Sequence, residues 1–258
     1  MNDNGVAPGT HAQQSNGHSS LRSLCLNLHN RIEAFLLEDV KTERLRKVQA
    51  QTKISLGAIQ EALQRYRLEQ ISFSYNGGKD CLVLLVLYLS ALSAHPSLPS
   101  LLQSIYIVPP HPFAEVDSFV ASSSAYYHLA LARYAKDSMK AAFAEYLVEN
   151  LHVKAIFVGT RRTDPHGGKL THFDMTDGGW PEFMRLHPVI DWHYAEIWAF
   201  IRHLDIPYCE LYDQGYTSLG GTTDTHPNPA LKVEGQEGTF RPAYELADDN
   251  EERLGRER

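Results

Sequence analysis

Ser74-Tyr75-Asn76-Gly77-Gly78-Lys79-Asp80-Cys81 puts two glycines, a cation and a carboxylate within eight residues. Glycines without a Cβ let the backbone approach an oxyanion closely. Before them runs Ile71-Ser72-Phe73, β-favouring; after them runs Leu82-Val83-Leu84-Leu85-Val86-Leu87-Tyr88-Leu89, apolar on every side. That order predicts a strand, a glycine turn and a buried helix. The helix presents its first free N–H groups and the positive end of its dipole to the turn, which makes the turn a place to hold phosphate. Lys79 and Asp80 fall in the first helical turn, where one could meet a phosphate and the other a metal ion or cap. Lys79 is followed by Asp80 and not by Ser or Thr, so the loop is not a Walker A loop, and Gly-x-Gly-x-x-Gly is absent. An ordinary strand–helix turn would need no Lys-Asp pair at the start of so hydrophobic a helix.

A second chemistry-bearing stretch starts at Gly159-Thr160-Arg161-Arg162-Thr163-Asp164-Pro165, just after the apolar run Val153–Val158. Two arginines and an aspartate thus leave a strand end. Residues 160–182 read as a long site-lining loop with carboxylates for a metal and arginines for phosphates, since loops of this length in compact domains are usually functional or disordered. The alternative is a solvated Thr/Asp/Gly loop. Residues 205–230 are irregular, glycine-rich and tyrosine-rich, a wall or lid. The end of the chain carries Arg253 and Arg256. Arginine forks phosphate bidentately, although on residue type alone a solvated charged tail is the simpler account.

The elements that must position these groups follow from periodicity. Leu21 to about Gln49, and Ile54 to Glu69, show helical spacing. Ser104–Val108, Tyr127–Ala132 and Val153–Val158 read as strands, alternating with helices over 115–123, 137–150 and 194–204. Such alternation predicts a parallel sheet covered on both faces, with ligands at the carboxyl edge. The chain divides into a disordered tail (1–18), N-terminal helices (19–69), a nucleotide-binding core (70–204) and a C-terminal extension (205–258), one structural domain overall.

Composition narrows the function classes. The chain has 258 residues, 43% of them hydrophobic and 21% charged, with a net charge of −7. The acidic balance argues against a general nucleic-acid binder but leaves room for a local basic pocket. Cys25, Cys81 and Cys209 form no metal pattern and fit a reducing compartment. Cys81 could be a nucleophile; a small buried residue is the favoured account. The first residues lack a signal-peptide pattern and the longest apolar stretch is too short to span a bilayer, so a cytoplasmic protein is expected.

SYNGGKDC (74–81), GTRRTDP (159–165), TDGGWPEFMRLHPVIDW (176–192) and YTSLGGTTDTHPNPAL (216–231), closed by ERLGR (252–256), together resemble the eukaryotic FAD synthases, or FMN adenylyltransferases, of the PAPS-reductase-like PP-loop family. The resemblance covers about residues 70 to 256. It implies a Rossmann-like, adenine nucleotide alpha hydrolase-like α/β fold. It also implies Mg²⁺-dependent transfer of AMP from ATP to FMN, giving FAD and pyrophosphate, by a monomer acting on small molecules without nucleic acid or membrane. Matched by motif position, Asn76, Asp80 and Asp164 would be catalytic, with Asp80 and Asp164 near Mg²⁺. Ser74, Tyr75, Gly77, Gly78, Lys79, Ile107, Gly159 and Arg161 would bind ATP, Ile107 through its backbone at the adenine. Asp177, Trp180, Arg185, Arg253 and Arg256 would bind FMN, the last two at its phosphate. Other PP-loop pyrophosphatases, a sulfonucleotide reductase and a non-catalytic nucleotide-binding module are the alternatives. The reductase needs a redox cysteine in a C-terminal tail, and none follows Cys209.

Overall fold

The computed structural model describes residues 20–257; the tail expected over 1–18 lies outside them. A six-stranded sheet runs in the order β3 (Leu129–Tyr134), β2 (Leu102–Ile107), β1 (Ile71–Ser74), β4 (Ala155–Phe157), β6 (Met184–Leu186), β5 (Phe173–Met175). All neighbouring pairs are parallel except β5 with β6. The order reverses beside β1, between β2 on one side and β4 on the other. The exits of β1 and β4 therefore flank a topological switch point, where open α/β sheets bind ligands.

The glycine turn leads into α3 (Lys79–Ala91), whose residues Cys81 to Ser90 are all buried. A helix apolar all round must be covered all round. The N-terminal helices α1 (Leu21–Leu37) and α2 (Glu43–Arg65), together with α6 (Tyr194–His203), do this on one face of the sheet, and α4 (Ala114–Tyr126) lies beside them. The opposite face is covered by α5 (Met139–Glu149), which packs with Ile105, Ile156 and Phe183 in a second apolar cluster.

Three boundaries depart from the periodicity. The first helix stops at Leu37 and not near Gln49, because Thr42 caps the next one by accepting the Leu45 N–H at 3.2 Å. Gln49 Nε2 then adds a second donor to the carbonyls of Phe35 (2.6 Å) and Glu38 (2.9 Å) at the helix end. α2 ends at Arg65, short of Glu69. The long loop over 160–182 contains β5, three residues long and specified only by its antiparallel partner.

Beyond α6 the described residues hold no long helix or strand, only short 3₁₀ turns. It wraps the carboxyl edge of the sheet. The Tyr212 hydroxyl accepts the Lys79 N–H at 2.9 Å, Thr222 N–H donates to His111 O at 2.8 Å, and Asp249 accepts the Tyr194 N–H at 3.1 Å.

Candidate active site

The phosphate loop is shaped locally. Gly77 has φ +72, a conformation L residues avoid, and a Cβ there would lie 2.8 Å from Val120 Cγ2. The Asn76 side-chain oxygen accepts the Gly78 N–H at 3.0 Å, folding the loop back on itself. Asn76 is exposed, while the Tyr75 ring is fully buried with its hydroxyl 2.8 Å from Ser123 Oγ. With its ring buried, Tyr75 has its backbone to offer a ligand in the loop.

Behind the loop lies a buried cluster of four charges. Lys79 is 2% exposed; its Nζ donates to Asp80 Oδ2 at 3.0 Å and to Glu252 Oε1 at 2.6 Å. Arg161 is fully buried, with Nε 2.7 Å from Asp80 Oδ1 and Nη2 on Glu252 Oε2. Charges this deep are tolerated only when paired. For Lys79, burial lowers the affinity for its proton, but the carboxylates of Asp80 and Glu252 outweigh this and hold the ammonium charged. For Asp80, burial raises the carboxyl, and Arg161 and Lys79 pull it below its usual range. The side chains of Lys79 and Arg161 therefore face carboxylates and not solvent. In the ligand-free protein these ion pairs hold Asp80 in place, while Arg161 Nη1 is buried without a partner.

Asp164 stands on the rim of this cluster. Its Oδ2 accepts the Arg161 N–H at 2.8 Å, and its Oδ1 lies 4.0 Å from Arg253. Burial, then the negative charge of Asp80, raises its carboxyl above the usual value. The two carboxylates lie close enough for the charge of Asp80 to disfavour ionisation of Asp164. Asp80 Oδ1 is buried without a hydrogen bond, the 2.7 Å ion pair with Arg161 being off line, and Asp164 Oδ1 has only the distant arginine. Among the described residues no group of three or more His, Cys, Asp or Glu could hold a metal ion. This donor set suits an ion that takes one or two carboxylates and leaves its other positions to substrate phosphate and water, as Mg²⁺ does.

The remaining positions fall in two places. Ile107 ends β2, beside the exit Pro109-Pro110-His111 on which Gly221 and Thr222 rest. Gly159 ends the β4 segment with no room for a side chain: a Cβ would lie 2.7 Å from Cys81 Sγ. Burial pushes the Cys81 thiol up to about 12, so Cys81 packs and does not react. Arg256 braces on Asp224 at 3.3 Å with its guanidinium flat against Gly220. Arg253 and Arg256 therefore gather with the phosphate loop at the carboxyl edge. Asp177 and Trp180 are on the β5–β6 connection, which leaves the amino end of β6 and folds up the α5 face. There Trp180 meets Phe143 (centroids 6.2 Å), and Lys140 in the first turn of α5 donates to Gly178 O at 3.4 Å. Arg185 lies on β6 and donates to Met175 O at 3.0 Å.

A model of the phosphoadenosine phosphosulfate reductase domain matches residues 70–227. A probable FAD synthase of Schizosaccharomyces pombe is 41% identical over 235 residues, 89% of this chain and 87% of that one. This chain belongs to the FAD synthases of the phosphoadenosine phosphosulfate reductase domain family. The probable FAD synthase of Caenorhabditis briggsae is 34% identical over 224 residues, 86% of this chain but 42% of that longer protein. The crystal structure of Candida glabrata FMN adenylyltransferase in complex with FMN and the ATP analogue AMPCPP superposes with a TM-score of 0.87 at 30% identity, covering 92% of this chain and all of that one.

Within the FAD synthase family's shared frame, the sequence reading missed Glu252 and Asp224. Each stands inside a motif quoted above, Glu252 next to an arginine that drew attention for its charge and Asp224 between two threonines. Sequence offered one signal, that Glu252 precedes Arg253, but surface-type residues in a polar tail do not announce burial. The site as assembled can hold a triphosphate on a glycine loop. It sets two carboxylates beside the loop and brings two further cations from the tail.

Proposed function

We propose that this chain transfers the adenylyl group of ATP to FMN, forming FAD and releasing pyrophosphate. The observation that carries the proposal is the tail docked on the phosphate loop. It adds Arg253 and Arg256, a second set of anion partners, to a loop shaped to take one anionic substrate. An FMN phosphate oxygen attacks the α-phosphorus of ATP; that P–O bond forms as the bond to the α,β-bridging oxygen breaks and pyrophosphate departs. No general base is needed, because the phosphate monoester is already anionic near neutral pH. The protein contributes positioning and charge neutralisation. Gly77, Gly78 and the backbone of Ser74 and Tyr75 cradle the ATP phosphates, and Asn76 lines the loop from its exposed side. The backbone of Ile107 meets the adenine, and Gly159 keeps the β4 exit close to α3. Asp164 with Asp80 would hold Mg²⁺, which when bound neutralises phosphate charge. Arg253 and Arg256 take the FMN phosphate, and Asp177, Trp180 and Arg185 take the flavin, Trp180 through its exposed ring.

The protein works as a cytoplasmic monomer on small molecules. Three free, buried cysteines fit a reducing compartment, and among the described residues no helix is long and apolar enough to cross a membrane. The test is to incubate purified protein with FMN, ATP and Mg²⁺ and follow FAD by chromatography. FAD and pyrophosphate should appear in equal amounts; a folded protein that makes no FAD sinks the proposal.

A further inference from the structure

We propose that Glu252 is a positioning residue whose carboxylate sets the register of Arg253 and Arg256 against the phosphate loop. The proposal rests on the reading that those two arginines take the FMN phosphate. Glu252 is 6% exposed, unusual for a glutamate so far beyond α6, the last regular helix. Both of its oxygens are used. Oε1 accepts from Lys79, the first residue of α3, at 2.6 Å, and Oε2 accepts from Arg161 on the β4 exit. One carboxylate thus ties the tail to both walls of the switch point.

The backbone of the same residue is pinned independently. Thr217 Oγ1 donates to Glu252 O at 2.6 Å and itself accepts from Asn228 Nδ2 at 2.9 Å; Asn228 Nδ2 also donates to Glu251 O at 2.7 Å. Thr217 and Asn228 are 1% and 0% exposed, so this is a built polar node and not a surface contact. Main chain and side chain of residue 252 are therefore both held, and Arg253 is the next residue out. Its carbonyl accepts the Arg256 N–H at 3.0 Å, which carries the register on to the second arginine. Gly220 and Asp224 then fix the Arg256 guanidinium from its other side.

Glutamate has the reach this needs. Aspartate keeps the charge but withdraws the carboxylate by one methylene, about 1.5 Å. With the cations fixed by Asp80, the tail has to move toward the loop or the fork has to open. Displacements of this size at a binding group lower rates and affinities on the order of 10- to 100-fold.

The experiment compares Glu252→Asp with wild type by flavin-fluorescence titration in the presence of Mg²⁺ and a non-hydrolysable ATP analogue. FMN and riboflavin, which lacks the phosphate, are the two probes. The expected result is an FMN dissociation constant raised on the order of 10-fold, riboflavin affinity unchanged, and in turnover a raised KM for FMN with KM for ATP unchanged. FMN binding at the wild-type constant overturns the proposal. Equal weakening of FMN, riboflavin and the ATP analogue also overturns it, since Glu252 is then only a part of the fold. If Glu252→Asp does not fold, Thr217→Val removes the hydroxyl that holds the Glu252 carbonyl and leaves the charge cluster intact; the same selective loss of FMN supports the proposal and its absence overturns it. Arg253→Ala with Arg256→Ala separates the two claims. If that variant loses the preference for FMN while Glu252→Asp keeps it, the arginine reading stands and the Glu252 proposal fails. If the arginine variant keeps the preference, both fall.

Discussion

Asp80 and Asp164 are neighbours of the same chemical type driven in opposite directions. Asp80 sits between two buried cations and is held below its usual range after burial is overcome; Asp164 is raised by burial and by Asp80 itself. The sign of their effects on stability differs accordingly. Asp80 stabilises the fold above its unfolded value, and that contribution is lost as pH falls through its lowered folded value, below 3.8. Asp164 favours the fold when protonated, so its contribution is complete below its unfolded value and is lost as pH rises through the raised folded one. At neutral pH the ionised Asp164 is a burden on the free protein, the kind of strain an anion-and-metal site carries for function. Asp164→Asn should raise the melting temperature of the ligand-free protein by about 2–4 °C for each kcal/mol recovered, and lower turnover by at least about 100-fold. The gain should shrink as pH is lowered, since the wild-type carboxyl then protonates as well. A melting temperature that drops at neutral pH would show that the charge is compensated in the free protein.

At the scale of elements, the site is a matter of how closely the β4 exit can approach the first turn of α3. Gly159 sets this distance: a Cβ would lie 2.7 Å from Cys81 Sγ and 2.8 Å from the Cys81 backbone nitrogen. Backbone cannot yield as a flexible side chain can. Gly159→Ala should push Arg161 and Asp164 away from Asp80, cost about 1–3 kcal/mol in denaturant unfolding, and reduce turnover more than FMN affinity. Unchanged stability and turnover would mean that the two elements slide apart freely. Strands and helices of the core were legible from periodicity and the glycine turn, because a parallel sheet buried on both faces needs continuous apolar runs. β5 was not legible. Three residues of mixed exposure carry no period, and only pairing with β6 makes them a strand.

For the whole molecule, the C-terminal extension is part of the site and not an appendage. Without residues 248–258, Lys79 and Arg161 would share Asp80 alone, leaving an uncompensated buried charge worth about 3–5 kcal/mol. A chain ending at residue 247 should melt lower than wild type and lose ATP binding by calorimetry, although it keeps the whole stretch matched by the family model, residues 70–227. Wild-type melting and ATP affinity in that chain would make the tail dispensable to the loop.

By itself, the sequence determined the glycine turn, the buried helix behind it, the alternation that builds the sheet, and the residue types from which an anion site can be made. These depend on neighbours a few positions apart, where spacing and side-chain type act directly on the backbone. The tertiary structure alone decided which charges face solvent and which are spent inside. Glu252 reaches Lys79 across 173 positions and Arg161 across 91. A lysine or arginine looks the same in sequence whether it will meet a substrate or a carboxylate. The difference is desolvation, which arises only when the chain has closed around the pair and brought the opposite charge with it.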